Sequence, residues 1–234
     1  MSTLLMRLSA PLQAWGAGSK FDRRDTERAP TKSAIIGMVA AALGYRREDD
    51  RIKRLGEDLR IGVRIDQPGV LLRDYHTAKS EKSAYVTHRY YVSDAVFLAG
   101  LEGEADLLET IQHALGAPFF PLFLGRRSCP PAGQIALGIR RGKTLLQALQ
   151  EEPVLAAHET RTTKNSPRLR LMLDAQAEEE AYFLRDQPVS FSQSRRVHGF
   201  RRVREMLVIP LSGQPSQSEQ ESPTLHDPFL ELED

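Results

Sequence analysis

Two kinds of apolar periodicity follow one another at the start of the chain and limit the folds open to it. In TLLMRLSA, residues 3–10, apolar side chains alternate with others, which is typical of a half-buried strand. In PTKSAIIGMVAAALG, residues 30–44, they recur at helical spacing instead. Thr31 or Ser33 can cap this helix, and Gly44 stands where a left-handed residue would end it. The chain therefore begins with a strand and a helix.

The alternation of strand and helix patterns continues to about residue 140. A short helix precedes the strand RIGVRID, and the next strand is VLLRDYH, residues 70–76. SAYVTHRYYVSDAVFLAG, residues 83–100, is rich in aromatic and β-branched residues, so we expect an extended hairpin there. The amphipathic helix EADLLETIQHALG and the strand GQIALGIRRG follow. The order β-α-(α)-β-β-α-β predicts an α+β protein in which residues 1–145 form a ferredoxin-like (RRM-like) domain.

The last third of the chain differs in pattern. Residues 146–211 contain short strand patterns and prolines but no long helical pattern, so we expect a small β-rich subdomain. Residues 212–234 are polar and proline-containing, with six acidic residues and no Lys or Arg. Such a composition favours a disordered acidic tail.

The charge and cysteine content narrow the class of protein. Six of the 31 acidic residues lie in the tail, so in the rest of the chain the 32 basic residues outnumber the acidic ones. The basic residues are concentrated in 20–32, 161–170 and 195–204. Such clusters suit a polyanionic partner, although a solvated charged face is the alternative. The single cysteine excludes an internal disulfide and fits the cytoplasm. We expect no membrane span or signal peptide, because the apolar runs are unsuited to either. We also expect no metal site and no cofactor, because the histidine spacings do not suit a metal and the glycine patterns do not suit a nucleotide.

The stretch PLFLGRRSCPP, residues 121–131, contains that cysteine, Cys129. A catalytic thiol needs an activating base, and no neighbouring residue supplies one, although Arg126 and Arg127 could lower its pKa. We therefore expect Cys129 to fill space. The glycine permits close approach of the backbone, while the two guanidiniums and Ser128 can bind phosphates.

Two further stretches suit RNA. The loop 20–32 leads into the helix that starts at PTKS, where free amides attract a phosphate and Lys32 and Ser33 could add contacts. Simple capping is the alternative. In LRDYHT, residues 72–77, an arginine, a tyrosine and a histidine combine charge with rings on which bases can stack. A core tyrosine with solvated neighbours is the alternative there.

QAWG (13–16), PTKSAIIGMVAAALG, LRDYHT and LGRRSCP (124–130) together resemble, in order and spacing, the CasD subunits of the type I-E CRISPR surveillance complex Cascade. These belong to the repeat-associated (RAMP) superfamily, and the resemblance extends over roughly residues 1–205. It implies a ferredoxin-like domain with a long β-hairpin thumb within about 77–96, and a small C-terminal β subdomain. It does not include the acidic tail.

The resemblance also implies a non-catalytic role. Such a subunit binds and caps the 5′ handle of the CRISPR RNA, anchors the large subunit and the first backbone subunit, and meets target DNA only through the complex. The thumb wedges against the first guide-proximal bases. By motif match, the handle contacts fall on Lys20, Arg23, Arg24, Arg28, Lys32, Ser33, Arg73, Tyr75, His76, Arg126, Arg127 and Ser128.

An enzymatic alternative remains. The related subunit of type I-C systems cuts repeat RNA without a metal, which requires a base for the 2′-hydroxyl and a cation for the phosphorane. Tyr45, His76, His88 and Lys79 or Lys82 are the available groups. LRDYHT and LGRRSCP favour the non-cleaving subunit. A scaffold with incidental basic charge is a third interpretation.

Overall fold

A seven-stranded antiparallel sheet runs through the chain in the computed structural model, which describes residues 1–16, 23–79, 84–156, 168–192, 194 and 196–211. The strand patterns of the sequence predict most of it. In spatial order the strands are β10 (Tyr182–Ser190), β11 (Val197–Val208), β9 (Leu169–Asp174), β4 (Arg60–Gln67), β7 (Val96–Gly103), β1 (Ser2–Ser9) and β8 (Ala136–Arg141).

A smaller sheet stands beside this one and is built on a long hairpin. Its arms are β5 (Val70–Lys79) and β6 (Ala84–Ser93), paired without interruption along their length. The short strands β2 (Leu12–Gln13) and β3 (Arg23–Arg24) add to β6, the first antiparallel and the second parallel. The hairpin starts before the expected 77–96, because VLLRDYH itself forms its first arm; residues 80–83 lie outside the described part of the chain.

Helices cover both faces of the large sheet. On one face lie α1 (Lys32–Ala42), α2 (Arg51–Asp58) and α3 (Ala105–Gly116), packed on the alternate side chains of β1 that include Leu4 and Met6. On the other face α4 (Leu145–Glu151) packs on Leu5. Burying one such side chain contributes about 1.5–3 kcal/mol.

The local signals of the sequence are confirmed where they predict helix ends. The Thr31 hydroxyl accepts a hydrogen bond from the amide of Ala34, and Gly44 has a φ of 78°. α4 was not predicted, because two helical turns are too short to show a clear period; a reciprocal capping box between Thr144 and Gln147 starts it.

The expectation of an α+β protein is confirmed, since helices pack on sheets whose strands are mostly antiparallel. The three strands of the region 146–211 continue the large sheet beside β4, since Leu171 and Leu173 of β9 bury themselves in the layer under α4. The acidic segment 212–234 lies outside the described residues. None of the described helices has the length and apolar character needed to span a membrane.

Candidate nucleic-acid interface

The hairpin brings together three stretches that are far apart in sequence. β3 pairs with β6, which places the 23–28 segment beside the hairpin. The guanidinium of Arg126, in GRRS, then joins both: Nη1 donates to the carbonyl oxygen of Tyr90 at 2.9 Å. Nη2 donates to the carbonyl oxygens of Arg24 at 2.7 Å and Asp25 at 3.3 Å. The loop after β1, the hairpin and the GRRS turn therefore form one surface.

Arg126 positions this surface. Its guanidinium lies 4.6 Å from the centre of the Tyr91 ring, which is buried, and both terminal nitrogens already donate to backbone carbonyls. The sequence suggests Arg126 as a phosphate ligand, but in the structure both terminal nitrogens donate within the protein. Its role in this arrangement is to hold the neighbouring segments in place.

The GRRS turn is fixed by close backbone contact. The amide of Leu124 donates to the carbonyl of Cys129 at 2.8 Å, and the amide of Ala14, in QAWG, donates to the carbonyl of Leu124 at 3.1 Å. Gly125 has a φ of +88°, and a Cβ there would lie 1.5 Å from the carbonyl oxygen of Ala14. Only glycine fits such a contact. This contact could not be predicted from the sequence, although QAWG and LGRRSCP both belong to the resemblance with CasD subunits.

Cys129 occupies the interior of that turn. It is 1% exposed, and burial raises the pKa of its thiol, only partly offset by a contact with Ser128 and the charge of Arg126. A buried thiol with a raised pKa is a poor nucleophile. The position agrees with the expectation that Cys129 fills space.

Four arginines on this side of the molecule are exposed and form no ion pair with any described carboxylate. Arg24 belongs to β3, Arg73 to β5, Arg127 to the GRRS turn, and Arg28 follows the bridge between Trp15 and Glu27. Ser128 is exposed beside Arg127. Lys20 lies outside the described residues, and of Arg23 only the backbone is described. Exposed guanidiniums without partners are suited to binding phosphate.

The hairpin presents a ring beside these charges. Tyr75 is 63% exposed, and its ring centre lies 5.9 Å from that of His88, at 62°. Because side chains alternate along a strand, Arg73 and Tyr75 share one face while His76 points to the other. There His76 Nε2 lies 2.6 Å from a carboxylate oxygen of Asp74. The LRDYHT motif thus divides between the two faces of the hairpin.

Lys32 and Ser33 are not on this surface. Both are buried, at 5% exposed each. The Lys32 ammonium lies 2.9 Å from Asp174 Oδ2, and its backbone amide donates to Asp186 Oδ2 at 2.7 Å. The helix N-terminus is therefore already occupied by a carboxylate, so these residues belong to the interior and not to an RNA contact.

The two aspartates are shared with Arg201, which completes a buried ion network. Arg201 donates to Asp186 through Nε and Nη2, at 2.6 and 2.9 Å, and to Asp174 through Nη1 at 2.6 Å. Burial opposes the charged form of Arg201, but hydrogen bonds to Asp186 and the charge of Asp174 outweigh it and raise the pKa. The network ties α1 to β9, β10 and β11.

Those groups proposed for RNA cleavage that lie in the described part of the chain are not brought together. Tyr45 follows α1, with the Arg51 guanidinium 3.9 Å from its ring centre. His76 and His88 lie on opposite faces of the hairpin. Lys79 is exposed at the end of β5, and Lys82 lies outside the described residues.

Comparison with known proteins gives the family. Residues 3–204 match the family described as CRISPR-associated protein (Cas_Cas5). The chain is 30% identical to the CRISPR system Cascade subunit CasD of Escherichia coli (strain K12), over 73% of this chain and 90% of that protein.

Two solved structures are similar. One is a crystal structure of a Cas protein, 42% identical with a TM-score of 0.69, covering 89% of this chain and 95% of that one. The other belongs to a CRISPR RNA-guided surveillance complex, 31% identical with a TM-score of 0.75, covering 93% and 95%. The resemblance seen in the sequence is thereby confirmed, and the chain is a member of the CRISPR-associated protein (Cas_Cas5) family.

Proposed function

We propose that this chain is a non-catalytic subunit of a type I-E CRISPR Cascade complex that binds and caps the 5′ handle of the CRISPR RNA. The observation that carries this proposal is the convergence of the 23–28 segment, LRDYHT and GRRS around the hairpin, in a chain of this family. CasD of E. coli is itself named a Cascade subunit.

The same proposal includes a ferredoxin-like fold for residues 1–145. The strand order β8-β1-β7-β4, with α1 and α2 after β1 and α3 after β7, supports a ferredoxin-like unit over residues 1–145. The hairpin β5–β6 is then the thumb, and 146–211 is the C-terminal extension. In this proposal the thumb lies between the second and third strands of the unit.

Recognition would follow from the exposed groups. Arg24, Arg28, Arg73 and Arg127 neutralise phosphates, Ser128 adds a donor, and Tyr75 offers its ring to an unstacked base. Lys20 and Arg23 extend the same basic loop in the sequence. Arg126 acts indirectly, by holding the loop, hairpin and turn together.

The backbone and large subunits would attach where apolar side chains are exposed. β5 is the outer strand of the smaller sheet, and Val70, Leu71 and Leu72 at its start are 68%, 40% and 40% exposed. Exposed apolar residues on an open strand edge support contact with another protein chain. Target DNA meets this subunit only through the complex, in the cytoplasm.

The alternative, cleavage of repeat RNA, is less well supported because its candidate base and cation groups, where the structure describes them, are dispersed. Incubation of the purified chain with labelled repeat RNA in EDTA tests both. We expect binding without a product, and weaker binding to the same RNA without its 5′ handle. A product ending in a cyclic phosphate contradicts the non-catalytic role, and equal binding of both RNAs contradicts handle recognition.

A further inference from the structure

The described arginines of the segment 195–204 differ in whether they have a partner in the protein; Arg195 lies outside the described residues. Arg201 lies between two buried aspartates, and Arg204 pairs with a glutamate carboxylate at 2.7 Å. Arg202 donates to three backbone carbonyl oxygens of the turn before β10. Arg196 has no such partner among the described residues, and it is exposed. Only part of the cluster is therefore used to hold the fold.

Arg196 faces a second unpaired arginine. Its guanidinium lies 5.7 Å from the ring centre of Phe191, and Arg47 after α1 is close enough to repel it. Partial loss of hydration at its guanidinium, and then the charge of Arg47, lower the pKa of Arg196. Neither guanidinium forms an ion pair within the described part of the chain. Two neighbouring like charges without an ion-pair partner favour the binding of an anion.

A histidine and a third arginine continue the row. The ring centres of Phe191 and His198 are 6.1 Å apart, and His198 Nδ1 is buried without a hydrogen-bond partner among the described residues. Arg185 donates through Nε to the carbonyl oxygen of His198 at 3.3 Å. Its guanidinium lies 5.9 Å from the ring centre of Phe200. Phe200 is itself 66% exposed.

Three guanidiniums and three rings are therefore neighbours in series, and we call this group the basic–aromatic strip: Arg47, Arg196, Phe191, His198, Arg185 and Phe200. A protein partner with acidic side chains would satisfy the charges but not require an exposed phenyl ring beside them. A single-stranded nucleic acid satisfies both, because phosphates bind guanidiniums and any base can stack on a ring. The strip shares no residue with the hairpin surface.

We propose that the basic–aromatic strip is a second nucleic-acid surface, separate from the hairpin, which binds the phosphodiester backbone of a single strand with a base on Phe200. RNA and DNA share that backbone, so either can be the source of the strand. The proposal goes beyond handle binding and does not depend on it.

Binding of the full chain to short labelled single strands without handle sequence, as RNA and as DNA, tests the strip by fluorescence anisotropy across a salt series. For R47A/R196A we expect about tenfold weaker binding and a salt slope smaller by about 2. For F200L we expect at least about fivefold weaker binding at unchanged slope. The nucleic acid with the larger loss identifies the source.

R141A/R170A is the matched control, since it removes two exposed arginines that are paired with Glu109 and Glu205. Strip variants that bind like this control overturn the proposal. A second outcome also overturns the proposal. In it, a synthetic peptide of residues 212–234 binds the wild-type chain through the strip, and R47A/R196A leaves oligonucleotide binding unchanged. R73A, tested on handle RNA, reports on the hairpin separately, so that the two proposals can fail independently.

Discussion

The ion network around Arg201 and the hairpin surface use the same residue types for opposite purposes. Around Arg201, two carboxylates on β9 and β10 neutralise two cations, and the group is buried. On the hairpin side, Arg24, Arg73 and Arg127 stand exposed. The number of basic residues in a stretch therefore does not show whether it binds an external anion. The position of carboxylates on neighbouring strands decides that.

The largest effect that separates the two regions is expected at Asp186. D186A leaves Arg201 buried without one of its two carboxylates, which lowers the free energy of unfolding by about 3–5 kcal/mol. Urea unfolding measures this. The control is E205A, which breaks a partly exposed pair with Arg170 and is expected to change the value by less than about 1 kcal/mol. Equal changes for both would show that the network is no more important than a surface pair.

Arg126 belongs to the hairpin surface, but it stabilises the fold as Arg201 does, because its guanidinium donates to backbone carbonyls of neighbouring segments. R126A removes hydrogen bonds to three carbonyl oxygens and is expected to lower the free energy of unfolding by about 2 kcal/mol. RNA binding weakens as a consequence. R126K keeps the charge but not the fork of donors, so it should not restore either property. Full RNA binding by R126K would instead identify a direct phosphate contact.

The exposed arginines should show the reverse pattern. R73A/R127A is expected to weaken binding of handle RNA about tenfold and reduce the salt slope by about 2, with the free energy of unfolding within about 0.5 kcal/mol of wild type. Anisotropy titrations and urea unfolding of the same samples measure the two quantities. A stability loss without a change in the salt slope would contradict the assignment of these residues to the surface.

Cys129 gives the smallest effect. C129S is expected to lower the free energy of unfolding by about 1 kcal/mol and to leave RNA binding intact. Because burial raises the folded pKa of the thiol, its stabilising contribution is full below the ordinary thiol pKa and is lost as the pH rises above it. Alkylation by iodoacetamide should accordingly be slower than that of a free cysteine at pH 8. Rapid alkylation there would contradict the buried placement.

Local features were predictable from the sequence, and long-range ones were not. Thr31 as a cap and Gly44 as a helix end depend on neighbouring residues, and both are confirmed. The role of Lys32 depends on Asp174 and Asp186, 142 and 154 positions away, and no periodicity reports such a contact.

The same limit applies to Arg126. Its carbonyl partners in the 23–28 segment lie about a hundred positions earlier in the chain. The assignment of LGRRSCP to the RNA contact stays a prediction, and the different positions of Arg126 and Arg127 could be seen only in the fold. A backbone carbonyl can accept a hydrogen bond whatever side chain its residue carries, so the sequence does not indicate which residues supply these acceptors.

The contact of Gly125 with Ala14 also determines when, during synthesis, the N-terminal residues can fold. The loop after β1 is held by residues 124–129, and β1 itself pairs with β7 and β8. A ribosome must therefore release more than half of the chain before β1, QAWG and the 23–28 segment can take their final form. Until then the Trp15 side chain, which ends up 1% exposed, has no core in which to be buried. The N-terminal part of the hairpin surface is therefore synthesised early but reaches its final structure only after the GRRS turn and β8 have been made.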